Sequence, residues 1–164
     1  MNTRFHFLQK GFTLPELLVV MVIAATLLGI ITLNLASSKQ ATDLSTTVSL
    51  LTTDMQQQQL KAMVGDTEGR MIQDAYGIHF DATSYTLFNG TAYTTPAPTD
   101  IGRTINLGDN IEVINPNLTV IFATVSGEVI GYPSISNTIV LRNVVTGAQK
   151  TVQFNRYGVV ANIN

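Results

Sequence analysis

The chain has no cysteine. No disulfide can staple it, and no thiolate can act as nucleophile or metal ligand. Its fold must stand on packing alone. Charge is also scarce: Asp, Glu, Lys and Arg make up 12% of 164 residues, and the formal net charge is −2. There is no polybasic block, so strong electrostatic attraction to nucleic acid is not expected. Only one histidine, His79, lies beyond the first ten residues. A glycine-rich phosphate loop, a His-Glu-x-x-His helix and a nucleophile elbow are all missing. These absences speak against an enzyme, and neither a cofactor nor a bound metal is expected.

What the chain does have is a long uncharged run. From Leu17 to Ser38 no residue carries a charge, about the ~20 residues that a membrane-spanning helix needs. A secretory signal would have a shorter apolar region, and Ala36-Ser37-Ser38 is a poor small-residue cleavage site. Arg4 and Lys10 precede the run. The positive-inside rule then leaves the amino terminus cytoplasmic and everything after Lys39 outside. Glu16 stands at the edge of the run, where a carboxylate is costly unless it finds a partner or snorkels to the interface. Pro15 fits the first turn of a helix, which needs no backbone donor there.

The string Lys10-Gly11-Phe12-Thr13-Leu14-Pro15-Glu16-Leu17-Leu18-Val19-Val20 resembles the class III signal of type IV prepilins and type II secretion pseudopilins. The resemblance covers roughly residues 10 to 34. It implies cleavage after Gly11 by a membrane-embedded prepilin peptidase and N-methylation of the new amino-terminal Phe12. It implies that Glu16 meets the α-ammonium of a neighbouring subunit's Phe12 during assembly. The implied partners are other pilin or pseudopilin subunits, the peptidase, an inner-membrane assembly platform and the cytoplasmic membrane. The run has no mid-span proline, keeping only Gly29 as a weak point, and the chain lacks the cysteine pair of many major pilins. Both departures favour a minor pilin or pseudopilin.

Beyond the run, Ala41, Leu44, Val48, Leu51, Met55 and Ala62 recur at helical spacing, with Gln58 filling one core position. The pattern predicts one amphipathic helix packed on the chain's own head. Gln56 to Gln59 read as helix formers on a solvated turn. Gly65 is a natural stop. A helix is expected from about Thr13 to Val64.

Past Gly65 the period changes. Residues 65–75 read as a loop with room for a helical turn. Tyr76–Phe80 and Tyr85–Phe88 read as strands joined by a turn at Asp81–Ser84. Residues 91–103, with Thr94-Thr95-Pro96-Ala97-Pro98-Thr99, read as an exposed loop. Further strands are expected at 110–114, 118–124, 138–142 and 150–155. The fold class is therefore α+β, with a long amino-terminal helix packed on an antiparallel β-sheet head of one or two sheets. The divisions are a leader at 1–11, a membrane and assembly half of the helix at 12–38, an amphipathic half at 39–64, and a β-rich head at 65–164.

Val120-Ile121-Phe122, Ser126-Gly127-Glu128-Val129 and the closing Val152 to Val160 segment resemble the head of GspH/FimT-type minor pseudopilins. An alternative within that group is a FimT-like receptor for DNA uptake, which would need a basic surface. Arg142, Lys150 and Arg156 are spread out, and the tail Val160 to Asn164 is uncharged. His79 near Asp81 is read as a strand-surface or packing residue. Asp100, Asp109 and Glu112 lack the spacing of an EF-hand. Asn89-Gly90-Thr91 and Asn117-Leu118-Thr119 match a glycosylation acceptor pattern but are read as turns.

Overall fold

The computed structural model describes residues 11–94, 102–132 and 135–163, with side chains for all of these except 31–38 and 40. One helix, α1, covers Leu14–Val64. The chain divides into two compact units, Met1–Lys39 and Gln40–Asn164.

In the second unit α1 supplies one side of a core. Leu44, Val48, Leu51, Met55, Gln58 and Ala62 are buried, as the helical spacing requires when one stripe faces a sheet. Ala41 is the exception. It is exposed, so the buried stripe starts one turn later, at Leu44. The glutamine run also departs from a solvated turn. Gln56 and Gln57 are exposed, Gln58 is buried and Gln59 half-buried. Helical geometry spreads four consecutive residues over most of a turn, so a run of identical residues cannot share one environment.

The helix ends as expected at Gly65, whose φ is +65°. The Gly65 N–H donates to Ala62 O and the Asp66 N–H to Lys61 O at 3.0 Å. This pair is the Schellman arrangement, which caps the last carbonyls of a helix and calls for a residue that tolerates positive φ. Residues 66–75 then form a loop without a helical turn.

Among the described residues eight strands make two antiparallel sheets. Sheet A contains β1 (Tyr76–Phe80), β2 (Ser84–Asn89), β3 (Gly102–Asn106) and β5 (Leu118–Phe122), in the order β3-β2-β1-β5. Sheet B contains β4 (Ile111–Val113), β6 (Thr138–Asn143), β7 (Gln149–Phe154) and β8 (Val160–Ile163), in the order β4-β6-β7-β8. Inner faces alternate as period-two strands must. Ile78, Phe80, Tyr85, Val120, Phe122, Ile139, Leu141, Val152 and Phe154 are fully buried and join the α1 stripe in one cluster. The architecture is α+β, a helix packed on antiparallel sheets, consistent with a pilin-like fold.

Two strands escaped the sequence reading. β3 begins at Gly102, inside the segment read as loop, and pairs Gly102 with Phe88. Its sequence, GRTIN, has one large apolar residue, so period-two alternation has nothing to register. Residues 95–101 of that loop lie outside the described residues. β8 pairs with β7 across a register shift at Gln153/Phe154. It is short and mostly exposed, an edge strand with little hydrophobic signature.

β1 is buried on both faces. On its outer face Gly77 leaves room for the Phe88 ring; a Cβ there would lie 2.5 Å from Phe88 Cζ and 2.9 Å from Val120 O. Phe88 in turn lies 5.3 Å from the Tyr93 ring, and Tyr93 stacks on His79 at 3.9 Å.

Candidate functional site: the amino-terminal segment

Gly11, Phe12 and Thr13 precede the helix and are exposed, Phe12 by 81%. α1 begins at Leu14. The Thr13 carbonyl accepts from Glu16 N at 3.1 Å and Leu17 N at 3.2 Å, which makes Thr13 the capping residue. The Glu16 carboxylate turns back on it. Its Oε2 accepts from Thr13 N at 3.4 Å and from Thr13 Oγ1 at 3.5 Å. This is one half of a capping box, in which the third helical residue satisfies the backbone donor of the cap. A carboxylate in the first turn also suits the positive end of the helix dipole. Pro15, second in the helix, sits where a backbone donor has no partner to lose.

No packing explains Gly11. A Cβ added there would meet nothing within 4 Å, and its φ lies outside the left-handed region. Among the described residues, then, nothing calls for a glycine at this position.

From Leu17 onward the helix is apolar on every side. Leu17, Leu18, Val19, Val20, Met21, Val22, Ile23, Leu27, Leu28 and Ile30 are all more than half exposed. The one hydroxyl in the stretch, Thr26, donates to Ile23 O at 2.8 Å, so it presents no unsatisfied donor. A helix that is hydrophobic all round needs an apolar environment.

The family described as the prokaryotic N-terminal methylation motif matches residues 7–32. The chain carries a type IV prepilin-like signal. That motif is the mark of type IV pilin-like and pseudopilin proteins, and the matched segment takes in Gly11, Phe12 and Glu16. No curated protein and no solved structure matches the chain.

Among the described residues, no helix is long and apolar enough to cross a membrane. The apolar helix with described side chains runs from Leu14 to Ile30. That is roughly 25 Å at 1.5 Å per residue, short of a hydrocarbon core of about 30 Å. The expected span runs on to Ser38, and the side chains of 31–38 lie outside the described residues, as do Arg4 and Lys10 of the prepilin-type leader.

The head places the remaining candidates as follows. His79 is 8% exposed. Its Nδ1 is 2.7 Å from Thr119 Oγ1, and its Nε2 is 3.6 Å from Asp81 Oδ1. Burial pushes its pKa below the ordinary value, with Asp81 pulling the other way. The ring is packed under Tyr93, as a strand-packing histidine would be. Glu112 pairs with Arg142, and Arg156 with Glu128 at 3.0 Å. Asp109 is exposed and Asp100 lies outside the described residues. Among the described residues no group of three or more acidic, histidine or cysteine side chains could hold a metal ion. Asn117 stands in a turn at φ +65°.

Three relationships were missed from sequence. The Thr13–Glu16 cap could have been found, because Thr-x-x-Glu before an apolar run is the capping-box signature. The others had no local signal: Tyr85 OH donates to Asp54 Oδ2, and Gln59 Nε2 donates to the Tyr157 and Gly127 carbonyls.

Proposed function

We propose that the chain is a minor pilin or pseudopilin, a structural and assembly subunit of a type II secretion pseudopilus or type IV pilus. The observation that carries this reading is the methylation-motif match at residues 7–32, on a segment whose scissile region is exposed and whose helix is apolar all round. In this reading a prepilin peptidase cuts after Gly11 and Phe12 is then methylated. The apolar half of α1 rests in the cytoplasmic membrane with the amino terminus inside and the head outside. Extraction by an assembly platform packs that half against neighbouring subunits, and Glu16 meets the Phe12 ammonium of one of them. The chain is not itself an enzyme; the peptidase carries the chemistry. The likeness of the head to GspH/FimT-type subunits supports a place among minor subunits.

The DNA-receptor reading is the weaker one. Arg142 and Arg156, two of its three candidate cations, are held in ion pairs with Glu112 and Glu128, which lowers the positive potential that phosphate binding needs.

The test is processing. Gly11→Val leaves the fold untouched, since the site is open, yet puts a branched side chain where the peptidase requires none. Expressed with a prepilin peptidase, wild type should reach the mass of a chain beginning at methylated Phe12, and Gly11→Val should stay uncut. A variant found at mature mass sinks the reading.

A further inference from the structure

We infer that Thr13, Pro15 and Glu16 form a stop that fixes the first residue of α1 and thereby holds the Gly11–Phe12 peptide bond outside the helix. The inference rests on the processing reading above and adds positioning residues to it. Hydrolysis breaks the bond from the Gly11 carbonyl carbon to the Phe12 nitrogen. The water oxygen goes to Gly11, which leaves as a carboxylate, and both of its protons end on the Phe12 nitrogen, which becomes an ammonium. The attacked carbonyl must be free of helical hydrogen bonding, and exposed extended chain is where proteolysis concentrates.

Two independent features keep it so. Pro15 has no N–H to give the Gly11 carbonyl, four residues before it, and its ring clashes with a carbonyl in that position. Glu16 holds the Thr13 N–H at 3.4 Å, so that donor is satisfied in a non-helical conformation. Residues 11–13 are accordingly irregular and the helix begins at Leu14. This gives Glu16 a role before cleavage that needs its oxygen but not its charge. Glutamine can close the same capping box, whereas pairing with a neighbour's ammonium needs the carboxylate.

The experiment uses the full uncut chain in detergent with a purified prepilin peptidase, following cleavage by mass and helix limits by backbone 13C shifts. The double variant Pro15→Ala/Glu16→Ala should show helical shifts at Phe12 and Thr13. It should be cut at least about fivefold more slowly than wild type, the equilibrium effect of losing one helix stop. Glu16→Gln should be cut at the wild-type rate. Wild-type cleavage of the double variant overturns the inference, as does slow cleavage with Phe12 and Thr13 still extended. A wild-type chain that the enzyme leaves uncut overturns the processing reading, and this inference with it.

Discussion

The Tyr85 hydroxyl donates a 2.5 Å hydrogen bond to Asp54 Oδ2, tying the fully buried ring of β2 to α1. Burial and the adjacent carboxylate push the phenol pKa well above its ordinary value, so it stays a donor at any pH the protein meets. Tyr85→Phe keeps the ring and loses the tie. A hydrogen bond to a charged acceptor contributes about 1.5–3 kcal/mol. The head should lose stability toward the lower end of that range, because Asp54 is partly exposed to water. Urea denaturation measures it, and an unchanged midpoint would show the bond to be idle.

Gln58 predicts the opposite sign. It is 4% exposed, and its buried Oε1 has no hydrogen-bond partner among the described residues. An unsatisfied buried polar group costs about 1–3 kcal/mol. Gln58→Leu occupies the same stripe position without that cost, so it should raise the melting temperature. A lower one would mean that the amide is satisfied by something in solution, an ordered water being the first candidate.

His79 gives the head a pH dependence. Its folded pKa lies below the ordinary value of 6.5, chiefly through burial. The unfolded chain therefore takes up a proton that the folded chain resists. This contribution to stability is fully present above about pH 6.5 and is lost as the pH falls toward the folded pKa. Melting temperatures at pH 7.5 and 5.5 should differ in that sense, and His79→Gln should reduce the difference. An equal slope in the variant assigns the effect to other groups.

The helix stripe is predicted to be part of the head. A chain beginning at Gly65 lacks Leu44, Val48, Leu51 and Met55, all buried. At about 2 kcal/mol for each large buried side chain, the loss rivals the 5–15 kcal/mol that holds most domains together. Such a fragment should bind a hydrophobic dye and lose cooperative unfolding, whereas one beginning at Gln40 should not. Cooperative unfolding of the shorter fragment would free the stripe to serve a different surface.

These residues also show what a sequence makes legible. The stripe through Leu44, Val48, Leu51 and Met55 could be read because a helix repeats its environment every 3.6 residues. The inward pairs Ile139/Leu141 and Val152/Phe154 could be read because a strand repeats every two. The signal around Gly11 could be read because it is contiguous. β3 and β8 could not, since edge strands bury little and owe their shape to a neighbour's backbone. Nor could the partners of Tyr85 and Gln59, which lie 31 and 98 residues away and are brought close only by the fold.

Among the described residues sheet A ends at β3, whose outer edge has no further strand beside it. An open edge is an invitation to any stray strand, and a protein crowded against copies of itself would extend that invitation many times over. β3 answers with an exposed Arg103 beside an exposed Thr104. A charge on an edge strand is a recognised guard against runaway strand pairing. Replacing Arg103 with an aliphatic residue would remove that guard while leaving the core as it is, and should make the protein more prone to aggregate through this edge.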